Sequence, residues 1–164
     1  MKNIFLFAVV MVLFTGFSFQ SPTIKASEFK PWLGNWKGTL SYKDYSSGEM
    51  TSIKVEMKLG PIADADKIVY AESYPDEPDH NFSDTLRFSQ DGKLINSGVL
   101  ASKKKSSGNL EFILTSEGED DGQKSEIKVT YIFSKNSYTR KKEVRHRGQG
   151  DYFLRNEYKM TRVQ

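Results

Sequence analysis

The densest set of potential ligand atoms in the sequence is Asp76-Glu77-Pro78-Asp79-His80-Asn81. Three carboxylates, one imidazole and one amide within six positions could hold a hard cation through oxygen, with His80 adding nitrogen. The same composition, with Pro75 and Pro78, also makes an ordinary rigid, solvated loop, or a lid over a binding-site mouth. A second cluster is Arg140, Lys141, Lys142, Arg145, His146 and Arg147. Successive strand residues face opposite sides, so Arg140 and Lys142 share a face with Tyr138 and Val144. Those apolar members mark the face as inner, where Arg140 and Lys142 could neutralise an anionic ligand head. The competing reading is a twisted, wet strand whose cations pair across strands with Glu126, Glu143 and Glu157.

Other charge runs carry less chemistry. Glu117, Glu119, Asp120 and Asp121 lack the ordered spacing and distal bidentate Glu of a calcium loop, and read as a solvated hairpin. Lys103-Lys104-Lys105 reads as a charged strand end, with no interleaved aromatics to stack nucleic-acid bases. His80 and His146 are the only histidines, no nucleophile elbow is present, and there is no cysteine. Disulfides, thiolate metal sites and cysteine nucleophiles are thereby excluded, and catalysis has little support. Asp76 beside Glu77 could exchange protons, but adjacency in a loop fixes no geometry. Asn81-Phe82-Ser83 matches a glycosylation sequon of low specificity. Neither a metal nor a cofactor is expected.

The elements that must position these groups are short strands. In the 164-residue chain, Ile53, Val55, Met57 and Leu59 alternate with Ser52, Lys54, Glu56 and Lys58. Ile127, Val129, Tyr131 and Phe133 repeat that pattern, as do Leu110, Phe112 and Leu114, and then Tyr152, Leu154, Tyr158 and Met160. Weaker strands are expected at Trp36–Tyr42, Lys67–Ser73, Thr85–Phe88, Lys93–Val99 and Ser137–Val144. Gly-containing turns such as Ser106-Ser107-Gly108 and Asp120-Asp121-Gly122 separate them. About nine strands without a helical window make an all-β antiparallel meander. Closing it into an up-and-down β-barrel of about 8–10 strands removes its exposed edges. A two-sheet sandwich is the alternative.

At the N-terminus, Lys2 precedes the apolar run Ile4–Phe14 and the small residues Gly16 and Ser18, a secretory signal-peptide pattern over residues 1–18. The run is shorter than the roughly 20 residues of a membrane span, so no stable span is expected after cleavage. Residues 19–31 read as a flexible leader and residues 32–164 as one barrel domain. The whole chain carries 24 Lys and Arg against 21 Asp and Glu, a net charge of +3. That balance points to neither a nucleic-acid nor a membrane-surface partner. The expected product is exported, either periplasmic or secreted.

Trp32-Leu33-Gly34-Asn35-Trp36-Lys37-Gly38 opens the first strand and resembles the Gly-x-Trp start of the calycin superfamily, the lipocalins and their relatives. The resemblance implies that Gly34 and Trp36 close one barrel end, with Arg162 of the last strand lying over the indole. Antiparallel pairing of first and last strands brings the two together, and such a contact contributes about 0.5–2 kcal/mol. Gly38–Tyr45 and Tyr152–Tyr158 are similar to lipocalin-like proteins exported by bacteria, a likeness that carries no activity. Nitrobindin-type barrels hold haem through a histidine on the closing strand, and none follows His146 here. The Arg-x-Tyr carboxylate clamp of the fatty-acid-binding branch is replaced by Arg155-Asn156-Glu157-Tyr158.

The expectation is therefore a lipocalin-like barrel that binds a small apolar or amphiphilic molecule. Its aromatic wall would include Tyr42, Tyr70, Tyr131 and Tyr158, with Arg140 or Lys142 toward an anionic head. The alternative is a non-enzymatic envelope interaction protein whose barrel is filled by its own side chains.

Overall fold

The computed structural model describes residues 21–164. The signal-peptide pattern over residues 1–18 lies outside the described residues. Ten strands follow one another: β1 Gly34–Lys43, β2 Met50–Asp64, β3 Lys67–Ser73, β4 Phe82–Arg87, β5 Leu94–Ile95, β6 Gly98–Ser106, β7 Asn109–Asp120, β8 Gln123–Phe133, β9 Ser137–His146 and β10 Phe153–Arg162. They form one antiparallel sheet in the order β4-β3-β2-β1-β10-β9-β8-β7-β6-β5. Every sequential neighbour pairs except β4 and β5, the two edges of the sheet, and β1 pairs with β10, so the sheet curls into a nearly closed up-and-down barrel. Curling satisfies the backbone groups that an open meander would leave on its edges.

Alternation decides which side chains fill the interior. Val55, Met57 and Leu59 on β2, Leu110, Phe112 and Leu114 on β7, and Tyr158 and Met160 on β10 are all buried. The expected strand Lys93–Val99 is instead two strands broken at Asn96, which sits at φ 52°. Asn96 earns that left-handed backbone by bonding both ways across the seam: its N donates to the Arg87 carbonyl at 2.7 Å and its Oδ1 accepts from the Arg87 N at 2.9 Å. A single bridge, Phe88 to Ile95, completes the closure there. Asp121 and Gly122, both at positive φ, turn β7 into β8 in two residues.

Within the segment read from sequence as a flexible leader, residues 24–31 are tied down. A 3-10 helix runs from Ala26 to Trp32 and plugs one end, with Ile24, Ala26 and Phe29 completely buried. The Phe29 ring packs edge-on against Phe88, Phe112 and Phe133, with ring centres 5.4–5.7 Å apart. Two prolines hide this role, because the buried residues Ala26, Phe29 and Trp32 recur every third position over only two turns, too short a run to stand out as a helix. Lys103 and Lys105 anchor the plug through Glu28 at 2.8 and 3.1 Å, which gives the lysine run a role beyond a charged strand end.

Trp36 pairs directly with Arg162, whose guanidinium lies 5.3 Å from the indole centre. Arg162 Nη2 also donates to the carbonyls of Pro31 at 2.8 Å and Leu33 at 2.7 Å. The Trp36 Nε1 donates to the Trp32 carbonyl, and the Trp32 Nε1 to the Ser134 carbonyl, each at 3.1 Å. Gly34 at φ 128° bends the chain from plug into β1. Trp36→Ala removes a side chain only 1% exposed and is expected to cost about 3–5 kcal/mol. Denaturant unfolding measures the loss, and an unchanged midpoint would contradict the role of Trp36 in closing the barrel.

Candidate functional site: a charge pair and a tyrosine-lined cavity

Arg140 on β9 faces inward, with Tyr131 of β8 opposite it on one side and Tyr158 of β10 on the other. Its guanidinium lies 3.9 Å from the centre of the Tyr158 ring. Across the barrel stands Glu72 of β3, whose side chain has 0% exposure. Arg140 Nη2 donates to Glu72 Oε2 at 3.2 Å, and Nη1 lies 2.9 Å from Oε1. The Nη1 hydrogens are not aligned on Oε1, which therefore accepts no hydrogen bond among the described residues. The Tyr74 hydroxyl donates to Glu72 Oε2 at 2.9 Å and meets the Tyr158 hydroxyl at 3.1 Å. The result is a polar partition across the interior, built by β3, β9, β10 and the residue that follows β3.

On the plug side of the partition lies a cavity of about 90 Å³. Phe29, Met57, Leu59, Leu86 and Phe133 form its apolar wall, and Tyr70, Tyr131, Tyr138 and Arg140 its polar one, with Asn96 at the seam. The Tyr131 ring stacks on Phe112 at 4.5 Å and the Tyr138 ring on Phe133 at 4.6 Å, so both rings are fixed by packing. The hydroxyls of Tyr70, Tyr131 and Tyr138 have no hydrogen-bond partner among the described residues. Burial pushes the Tyr70 phenol up to about 12 and raises those of Tyr131 and Tyr138 as well. All three therefore stay neutral at physiological pH and can donate or accept. Burial opposes the Arg140 cation, yet Tyr138 and Glu72 beside it hold its pKa above the usual arginine value.

On the other side a cleft of about 240 Å³ opens at the mouth, lined by Leu40, Tyr42, Ile53, Tyr74, Glu77, His80 and Phe82. The loop of sequence interest thus borders the mouth, through Glu77 and His80. Asp76 reaches outward to Lys54 at 3.4 Å, and Asn81 Oδ1 accepts from the Tyr74 N at 2.6 Å. No group of three or more His, Asp or Glu placed to hold a metal occurs among the described residues.

Lys142 also points inward, but toward Asp120, 3.8 Å away, which Arg155 Nε approaches at 3.4 Å. The Tyr45 hydroxyl donates to the same carboxylate while the Arg155 guanidinium stacks on the Tyr45 ring. Asp120 is therefore buried at the mouth rather than solvated with its acidic neighbours. Of the outward cations of β9, Arg145 pairs across strands with Glu126, as the wet-strand reading expects, whereas Lys141 pairs along its own strand with Glu143, and Glu157 pairs with Lys159. Glu72 is the residue that sequence reasoning missed. Its parity with Ile68 and Tyr70 was the available signal: one carboxylate on an apolar face, like one arginine on the apolar face of β9.

The fold and this interior define a nearly closed, ten-stranded antiparallel barrel, consistent with a lipocalin-like fold. A solved structure of the same architecture is that of Rv2717c from M. tuberculosis, with a TM-score of 0.59 over 84% of this chain and 96% of that one. At 12% identity the likeness is one of fold. No protein-family profile and no curated protein matches the sequence. No helix among the described residues is long and apolar enough to cross a membrane.

Removing one member of a buried ion pair strands the other. Glu72→Ala is expected to lower stability by about 3–5 kcal/mol. Replacing both partners, Glu72→Met with Arg140→Met, should recover most of that loss, because apolar residues of similar volume substitute for a buried pair at little cost. Urea unfolding of the single and double variants checks this. A double variant as unstable as the single would contradict it.

Proposed function

We propose that this protein binds a compact apolar or amphiphilic molecule inside its barrel. The observation that carries the reading is the cavity where Arg140 and three unpartnered tyrosine hydroxyls meet an apolar wall. A few convergent polar groups in an otherwise apolar pocket are the usual composition of a small-molecule site. At about 90 Å³ the cavity is below the roughly 300–1,000 Å³ of a drug-sized pocket, which favours a ligand of few heavy atoms. A separate cleft, bordered by Tyr42, His80 and Phe82, opens at the mouth on the far side of the Glu72–Arg140 partition. The anionic-head role first considered for Arg140 and Lys142 is weakened, since Glu72 and Asp120 already stand against them. The basic start and apolar run at residues 2–14 support export, with the barrel working in the periplasm or outside the cell. Its nearest functional company would then be the exported bacterial lipocalin-like proteins that the sequence resembles.

A second reading is favoured by the plugged end, where Phe29, Trp32 and Trp36 are buried and occupy the barrel end. On that reading the barrel is scaffold, and its outer surface meets an envelope partner. Native mass spectrometry of the exported protein, before and after organic extraction, separates the two. The binding reading expects a discrete added mass that extraction removes. A bare chain mass in both states selects the second reading.

A further inference from the structure

The charges inside the barrel already cancel. Glu72 and Arg140 are one anion and one cation in contact, the carboxylate fully shielded from water, so the cavity beside them offers no unneutralised charge. The three phenols that line it are neutral hydrogen-bonding groups, and Tyr138 is only 3% exposed. A carboxylate brought into this cavity would stand near a fixed carboxylate with a single cation between them, and like charges in a low-dielectric interior repel strongly. An ammonium would face the same conflict with Arg140. A hydroxyl or carbonyl meets neither conflict, and each can pair with tyrosine hydroxyls that lack partners.

From this, and resting on the interior-ligand reading above, we infer that the cavity selects a ligand with an uncharged hydrogen-bonding head, an alcohol or a carbonyl compound, and rejects the corresponding acid. Glu72 is the specificity determinant: it acts through Arg140 by occupying the cation that would otherwise hold an anionic head. Tyr70, Tyr131 and Tyr138 receive the neutral head, while Met57, Leu59 and Leu86 contact the apolar remainder. This departs from carboxylate recognition by a free arginine. The difference lies in one buried residue on β3.

The test uses a matched pair small enough for the cavity, butan-1-ol and butyrate, titrated into the wild-type protein at neutral pH and followed by NMR chemical shifts. Butan-1-ol should bind at least about tenfold more tightly than butyrate, a margin of about 1.4 kcal/mol. Tyr131→Phe should weaken the alcohol and leave the fold intact, since the ring and its stacking remain. Glu72→Gln keeps the side-chain volume and removes the resident anion, so butyrate should gain about tenfold relative to the alcohol. Tighter butyrate binding by the wild type would overturn the inference while leaving an interior site in place. An unchanged order of preference in Glu72→Gln would overturn the role of Glu72. Binding of neither probe would overturn this inference together with the interior-ligand reading.

Discussion

Glu72 and Arg140 meet inside the barrel, and the organisation of the interior depends on that contact. A carboxylate with no solvent exposure survives only beside a cation and hydrogen-bond donors, because the cost of taking it out of water must be offset within the protein. Tyr74 and Tyr158 supply part of that compensation, and the Tyr158 ring adds its face to the guanidinium. The pair needs strands from opposite walls held at a fixed separation. The closed end provides this rigidity, as Trp36, Arg162 and the 3-10 plug lock β1 to β10 and seal the barrel below. A well-packed apolar filling would stabilise the same fold at least as well. A charged pair beside a cavity with unpartnered phenols is therefore not accounted for by stability alone.

The interior is graded along its axis. Aromatic side chains fill the plugged end, the cavity and polar partition occupy the middle, and Asp120, Lys142, Arg155 and Tyr45 stand at the mouth. Each inward cation has a carboxylate opposite it, contributed by a different strand. Outward cations on the same β9 strand pair with Glu126 and Glu143 on the solvent face. One strand thus carries two separate electrostatic systems, kept apart by the pleat of the backbone.

Much of this was legible in the residues. Period-2 alternation places β2, β7 and β8, and the Gly-x-Trp start with Arg162 near the end of the last strand foretells how the ends of the sheet meet. Parity offers the inner face for Arg140 and Lys142 but leaves the wet-strand alternative open. What alternation cannot supply is the identity of partners across the barrel, because Glu72 and Arg140 are 68 positions apart and share no local pattern. The same limit hides the plug, whose packing on Phe88, Phe112 and Phe133 and anchoring by Lys103 and Lys105 are long-range, and the break at Asn96, which becomes intelligible only once Arg87 lies beside it. The acidic turn misleads for a related reason. Composition suggests solvated carboxylates, yet Asp120 alternates inward and finds two cations there.

The most direct test of the central pair is nitrogen-15 NMR of the arginine side chains in the full barrel. A guanidinium paired with Glu72 and stacked on Tyr158 should rotate slowly and exchange its protons slowly with water, giving resolved Nη signals for Arg140 that Glu72→Gln collapses. Averaged Arg140 signals in fast exchange with solvent, unaffected by that substitution, would contradict a buried charge pair and the reading of the interior built upon it.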